Sequence, residues 1–310
     1  MQMKKCVIIM NPESGRGKNK DKIKNLYDVL RKYDYDGQIR YTKRKGDAHD
    51  IVKDLDSSID LVISAGGDGT LNEVVSGNLE RTKKIPLANL PLGTTNDVGN
   101  MYGLTGDIIQ KLEQLLKGTM KKIDVIMIND VPFVYVACIG DFIDMAYKTP
   151  RDLKKRYGKV AYIIYGLKQL RNKIHKYNIR YTIDGETKEG EYSFIFITNS
   201  SRIAGMDDIY YDVKLNDNKF EVALAKANNK ADMLKLLVLI NTIDLKDIPE
   251  ITYYQTDNLK VEFLNNIKSS WCIDGEELPI TTDTYEFRVD KSTTMLMPKK
   301  NISKLFQSEN

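Results

Sequence analysis

Histidine, cysteine and tryptophan are scarce in this 310-residue chain, which has two, three and one of them respectively. His49 and His175 leave almost no material for a zinc site or a histidine-based triad, so any catalysis falls to carboxylates. Cys6, Cys138 and Cys272 lie far apart in apolar or strand-like contexts. That spacing fits buried thiols in a reducing compartment better than a disulfide framework. Long hydrophobic runs are also missing. After Lys4-Lys5 the five apolar residues Cys6–Met10 are too few for a signal-peptide core, which needs ~7 to 15. Leu234–Ile240 is interrupted by Asn241 and Asp244, far short of the ~20 residues that span a bilayer. A soluble or peripheral protein is expected. The net charge of +4 is too small to argue for nucleic acid, and no nucleic-acid-binding motif accompanies it.

Two common phosphate motifs are absent as well. Counting a dinucleotide fingerprint from Gly67 puts its third glycine at Asn72, and the glycine that a P-loop needs five residues before Gly17-Lys18 is Pro12. What the chain does carry is Gly66-Gly67-Asp68-Gly69-Thr70, between the apolar run Leu61–Ala65 and a helix-like run from Leu71. Glycine lets backbone N–H groups approach a ligand closely, and a following helix N-terminus suits phosphate. The loop reads as a nucleotide site.

The length predicts two domains. In the first part strand and helix signals alternate: Cys6–Met10 apolar, Lys20–Lys32 helical with Ile23, Leu26, Tyr27 and Leu30 on one face, and Gln38–Thr42 extended. A helix at Ala48–Leu55, strand Leu61–Ala65, helix Leu71–Leu79, strand Ile85–Leu90 and helix Ile108–Leu116 follow. This order implies a parallel sheet covered by helices, whose ligands bind at the carboxyl edge, where Asn11–Gly15 and Gly66–Thr70 fall.

From Ile123 short alternating strands take over, ending at Lys268–Ile273 and Tyr285–Val289. Turn residues Asn129-Asp130, Asp184-Gly185 and Asp274-Gly275 separate several of them. Helical stretches interrupt near Lys159–His175 and Lys230–Ile240. The expected fold class is an α/β, Rossmann-like N-terminal domain over residues 1–122, with the tail 298–310 returning to it, and a β-rich antiparallel sandwich over 123–297.

Asn11-Pro12-Glu13-Ser14-Gly15, Pro91-Leu92-Gly93-Thr94-Thr95-Asn96-Asp97 and Asp274-Gly275-Glu276 stand in order with the glycine loop. With these motifs the chain resembles the diacylglycerol kinase catalytic family, in particular its soluble bacterial lipid kinases, over nearly all its length. The glycine loop is similar to that of NAD kinases and 6-phosphofructokinases too. The PLGTTND segment and the β-rich second domain point to the lipid branch.

The resemblance implies an ATP- and Mg²⁺-dependent kinase acting on the hydroxyl of diacylglycerol or a related lipid. A soluble-substrate kinase of the NAD kinase type and a non-catalytic binder are the alternatives. Asn11, Pro12, Glu13, Ser14, Gly15, Thr42, Gly66, Gly67, Asp68, Gly69, Thr70, Leu71, Asn72 and Thr94 correspond to nucleotide-contacting positions. Asp68, Asp97 and Asp124 match carboxylates that organise magnesium and water. Asp274 is the implied general base, with Glu276 as its partner or as the acceptor itself. The tripeptide Asp-Gly-Glu also occurs at Asp184–Glu186, where it reads as a plain hairpin turn. A structural magnesium is implied at Asp217 with the carbonyls of Lys214 and Lys219. Asn216-Asp217-Asn218 departs there from the usual Asp-Asp-Gly.

Between Lys148 and Lys176 ten basic residues face one acid, Asp152, with apolar residues interleaved. This pattern suits peripheral contact with an anionic membrane, at the cytoplasmic inner face. The resemblance allows a homodimer and gives no reason to expect nucleic acid.

Overall fold

The computed structural model describes residues 3–14, 23–140, 174–203, 212–240 and 242–308. The candidate residue Gly15, the basic stretch as far as residue 173 and most of the expected helix 159–175 lie outside the described residues. The chain divides into two compact units, Met1–Val125 with Lys214–Asp217 and Asp290–Asn310, and Ile126–Val213 with Asn218–Val289.

In the first unit the order is β1 (Lys4–Met10), α1 (Ile23–Lys32), β2 (Tyr35–Tyr41), α2 (Asp47–Lys53), β3 (Leu61–Gly66), α3 (Asp68–Leu79), β4 (Leu87–Pro91), α4 (Asp97–Met101), α5 (Ile108–Leu116) and the start of β5 (Thr119–Ile128). The strands β2, β1, β3 and β4 lie side by side in that order and all run parallel. Every residue of β3 is buried, as expected for a parallel strand covered on both faces. On one face Leu26 and Leu30 of α1 and Leu112 and Leu115 of α5 pack over Ile8, Ile63 and Ala88. α5 begins where Asp107 accepts the N–H groups of Ile109 and Gln110, both at 3.0 Å, while the Gln110 side chain accepts the Asp107 N–H at 2.9 Å.

A second pair, α2 and α3, fixes the helix that follows the glycine loop. Glu73 of α3 accepts the N–H groups of Gly46 and Ala48 at the start of α2, at 2.9 and 3.1 Å. A Cβ on Gly77 would sit 2.3 Å from the His49 carbonyl oxygen, so only glycine lets these helices pack this closely. His49 bridges Asp50 at 3.1 Å and Glu80 at 2.9 Å. Burial opposes its charge, but these two carboxylates outweigh it and raise its pKa above the ordinary 6.5.

The second unit is a sandwich. One sheet has the order β12 (Ile251–Thr256), β11 (Phe220–Ala225), β10 (Phe194–Thr198), β7 (Val136–Gly140), β14 (Trp271–Ile273) and β15 (Glu276–Leu278), with antiparallel pairing. Facing it are β9 (Glu186–Tyr192), β8 (Tyr177–Ile183), β13 (Asn258–Phe263) and the first part of β16 (Thr284–Met297), with the end of β5 and β6 (Val131–Phe133). Inward residues of both sheets share one core, including Ile139, Ile195 and Phe220 from one and Tyr177, Val261 and Phe287 from the other. Trp271 sits fully buried with ring contacts to Phe263, Tyr285 and Phe287. The expected turns are present, with Asn129, Asp184 and Asp274 in the left-handed region at φ 51°, 51° and 48°.

Several elements differ from the sequence reading: β2 begins at Tyr35 rather than Gln38, β5 at Thr119 rather than Ile123, and α4, β9 and β12 have no counterpart in it. α3 starts at Asp68, so the last three residues of the glycine motif already form its first turn. β14 begins at Trp271 rather than Lys268. β16 continues past Val289 to Met297: it pairs antiparallel with β13 up to Arg288, then runs parallel to β4 at Met295. The polar run Asp290-Lys291-Ser292 hid that continuity. The chain end, with α6 (Lys230–Ile240) placed earlier in the second unit, finishes in a short α7 (Ile302–Leu305) of the first unit, where the Asn301 side chain donates to the Met101 carbonyl at 2.7 Å.

Phe287→Ala is expected to destabilise the second unit by about 3–5 kcal/mol, read by denaturant unfolding through the fluorescence of Trp271, the sole tryptophan. For His49 the folded-state value is raised, so its stabilisation is complete below pH 6.5 and is lost as pH rises through the raised value. The stability gap between wild type and His49→Gln should therefore shrink across that window in a pH series of denaturant midpoints.

Candidate active site

The strand order β2-β1-β3-β4 reverses direction between β1 and β3, and an open α/β sheet binds ligands at the carboxyl edge of such a switch point. Four loops meet there. Asn11 N–H donates to the Ala65 carbonyl at 3.0 Å, and Thr42 N–H to the Met10 carbonyl at 3.0 Å. The Gly66 carbonyl accepts from Leu92 at 2.7 Å and Gly93 at 3.2 Å. The ends of β1, β2, β3 and β4 are thus joined by backbone bonds, which brings Asn11, Thr42, Gly66 and the PLGTTND segment together.

Asn11 shapes its own loop. Its side-chain oxygen accepts the Glu13 N–H at 3.0 Å and its carbonyl accepts Ser14 at 3.1 Å, leaving Pro12 and Glu13 exposed. Thr42 and Thr70 are buried and Thr94 is exposed. Gly69 lies within the first turn of α3 and Asn72 in its second. Leu71 is fully buried, and its N–H joins the helix by donating to the Gly67 carbonyl at 3.2 Å, so its side chain serves the core and not the loop surface.

Asp68 acts as a tie between two loops. One carboxylate oxygen accepts the Asp97 N–H at 2.9 Å and the other accepts Val98 at 3.2 Å, at the start of α4. Asn96, just before, is held at φ 50° with its amide donating to the Gly93 carbonyl at 2.8 Å. Asn96 thus serves as N-cap, and Asp97 is the first helical residue. Lys111 of α5 reaches the Pro91 carbonyl at 3.1 Å, and burial pushes its ammonium below the usual lysine range.

The glycines of this edge differ in what requires them. A Cβ on Gly66 would lie 2.3 Å from the Thr70 hydroxyl, and one on Gly93 would lie 2.7 Å from the Gly67 Cα and 2.8 Å from the Asn96 side-chain oxygen. Both are demanded by packing. Gly67 is not: its φ of −88° suits any residue, and a Cβ there would meet only the Gly93 Cα, at an ordinary 3.6 Å. As N-cap of α3 it has no side-chain cap either.

Asp124 lies on β5 with its N–H donating to the Leu215 carbonyl at 2.7 Å. Backbone contacts thus place it beside the segment 214–217, which is also held by Leu215 N–H to Leu305 carbonyl at 2.8 Å and Gln307 N–H to the Asn216 side chain at 2.8 Å. Lys214 donates to the Lys304 carbonyl at 2.8 Å. Asn218 occupies φ 63°, the glycine-like conformation expected of it, between Asp217 and Lys219. Among the described residues no group of three or more His, Cys, Asp or Glu side chains is arranged to hold a metal.

In the second unit Asp274 sits at the β14–β15 turn, 4% exposed. One oxygen accepts the Val134 N–H at 2.7 Å, and the other accepts Tyr135 at 3.0 Å and Val136 at 3.1 Å. Three backbone donors lock the carboxylate in one orientation. Glu276, at the start of β15, is exposed. The second tripeptide copy behaves differently: Asp184 accepts from the Thr256 hydroxyl at 2.8 Å and closes the β8–β9 hairpin. Neither the N–H fork around Asp274 nor the Asp68 tie to Asp97 and Val98 has a sequence signal, since both depend on backbone brought from elsewhere in the chain.

A parallel α/β unit with a glycine-built carboxyl edge and a β-sandwich unit with a clamped carboxylate define a kinase-type architecture. The comparisons identify its domains. Residues 5–128 match the diacylglycerol kinase catalytic domain, and residues 144–291 match the YegS C-terminal NAD kinase beta sandwich-like domain. The chain therefore carries a diacylglycerol kinase catalytic domain followed by a YegS-type sandwich domain, the pairing of a kinase. It is similar to diacylglycerol kinases of Staphylococcus aureus: 29% identical over 291 residues to that of strain bovine RF122 / ET3-1 and 28% to that of strain MRSA252, in each case over 93% of this chain and 91% of the relative. The fold matches a solved diacylglycerol kinase structure from Bacillus anthracis str. Sterne, with TM-score 0.79 and 22% identity over 97% of this chain and 100% of that one.

Gly93→Ala is expected to destabilise the first unit by about 1–3 kcal/mol, because two loops must separate to admit one methyl group. Gly67→Ala should leave stability within about 0.5 kcal/mol. Thermal unfolding of the two variants side by side checks the contrast.

Proposed function

We propose that this chain is an ATP- and Mg²⁺-dependent lipid kinase that transfers the γ-phosphoryl group to the hydroxyl of diacylglycerol or a related lipid. The observation that carries the reading is Gly67. The fold itself makes no demand for glycine there, a Cβ meeting only the Gly93 Cα at an ordinary 3.6 Å, whereas a phosphate chain running over the start of α3 would need close approach to its backbone. Names of the S. aureus relatives support the lipid acceptor.

In this reading Asn11, Thr42, Gly66 to Thr70, Asn72 and Thr94 bind the nucleotide through backbone N–H groups and short polar side chains. Asp68, Asp97 and Asp124 would hold Mg²⁺. Their hard oxygens suit the ion, and since the three do not form one cluster among the described residues, one or two would bind it directly and the rest through its waters. The ion supplies charge neutralisation at the phosphates. Asp217 with the carbonyls of Lys214 and Lys219 would hold a second, structural Mg²⁺.

A primary alcohol is a poor nucleophile, and Asp274 accepts its proton as the oxygen attacks the γ-phosphorus. Glu276 supports Asp274 electrostatically. The basic run Lys148–Lys176 brings the enzyme to anionic lipid at the inner face of the membrane; no helix among the described residues is long and apolar enough to cross it. The sandwich domain's relation to NAD kinases keeps one second reading, phosphorylation of a soluble substrate.

Mg²⁺-dependent formation of phosphatidic acid from detergent-dispersed diacylglycerol, identified by mass in a lipid panel, is the expected result. Phosphorylation of NAD with none of any lipid would overturn it. Asp274→Asn should cut turnover at least 100-fold while ATP still binds, and should also lower stability by about 1–3 kcal/mol, because an amide nitrogen would face a backbone N–H. Gly67→Ala should instead raise the KM for ATP about tenfold or more.

A further inference from the structure

Cys138 and Cys272 are direct partners in the antiparallel register of β7 and β14. Their neighbours Ala137, Ile139 and Ile273 belong to the sandwich core, so alternation turns both thiols together to the opposite face of the sheet. Both are unbridged and buried. Asp274 N–H donates to the Val136 carbonyl at 2.9 Å, which marks that pair as hydrogen-bonded, and two residues along the ladder Cys272 and Cys138 form a pair of the same kind. Such pairs have Cα atoms about 5.5 Å apart, inside the roughly 4.4–6.8 Å that a disulfide spans. Across the ladder the Cys272 side chain is the first neighbour that Cys138 meets. Cys6, by contrast, lies in β1 of the first unit within an apolar core.

We propose that Cys138 and Cys272 are a modification site: a dithiol that a hydroperoxide converts to a reversible disulfide, altering the hold on Asp274. One sulfur, as thiolate, attacks the hydroperoxide; the O–O bond breaks, an alcohol or water leaves, and a sulfenic acid forms. The second sulfur then attacks the sulfenic sulfur, the S–O bond breaks, and the departing hydroxyl leaves as water with the thiol proton. Two electrons pass from the sulfurs to the peroxide, and one S–S bond is made. The neighbouring Cys272 side chain and burial hold the Cys138 thiol well above the usual range, so the first step is slow and the pair rests reduced. Once a sulfenic acid forms, its partner is already in contact.

The bridge would fall two residues before Asp274 on one strand and two after Val136 on the other. It would therefore bind the strand that presents the carboxylate to the segment whose N–H groups grip it.

The test uses the full wild-type chain, treated with hydrogen peroxide, then denatured and alkylated. Alkylatable thiols should fall from three to one. The mass before alkylation should drop by two hydrogens, a peptide map should join Cys138 to Cys272, and dithiothreitol should reverse the change. Three thiols remaining, added oxygen in place of lost hydrogen, or a bridge through Cys6 would overturn the site. Hydrogen exchange at Val134, Tyr135 and Val136 should differ between the reduced and bridged protein; identical rates would overturn the coupling to Asp274.

Discussion

The first unit depends on one close approach, the backbone of Gly93 against that of Gly67, secured by the Asp68 carboxylate on the first N–H groups of α4. Two loops from neighbouring parallel strands are drawn together so tightly that a methyl group has no room on Gly93. The effect is to bring the start of α3, the PLGTTND segment and the end of β1 to one carboxyl edge. Asp68 does this with a charge-assisted pair of bonds, which are stronger than neutral ones and hold the loop geometry without a bound ligand. A residue that reads in the sequence as a ligand to a metal thus also has a structural duty.

The second unit repeats the device with different parts. Asp274, in a left-handed turn that Asp tolerates, turns its carboxylate onto three consecutive backbone N–H groups from the start of β7. Trp271, three residues earlier, anchors the same hairpin in the aromatic core. The polar tip and the apolar root of β14 are therefore fixed by separate forces, hydrogen bonding at one end and burial at the other. A carboxylate so held loses little entropy when it engages another group.

Much of this was legible in the residues. The alternation of strands and helices up to Leu116, the switch to period-two strands, and the hairpin turns at Asn129, Asp184 and Asp274 all rest on local periodicity and turn chemistry, which act over a few residues. The order of the motifs carried the family, and the comparisons agree with it. The length of β16 was not legible, because the polar run at Asp290 breaks the alternation where the strand changes partners. Nor was the start of α3 at Asp68, since glycine and Asp disfavour a helix locally and the helix is imposed by its packing on α2. Leu71 looked like part of a binding loop and is a core residue.

The sequence alone determined which elements form, which turns reverse the chain and which chemistry the motifs can support, because those follow from side-chain type and spacing. Two matters were left to the tertiary structure. It separated glycines required by packing, Gly66 and Gly93, from Gly67, where the protein itself makes no demand. It also told two identical tripeptides apart, giving Asp184 a threonine hydroxyl and Asp274 a fork of three N–H groups. Both distinctions depend on atoms that are remote along the chain and adjacent in space, and no local pattern of residues encodes that.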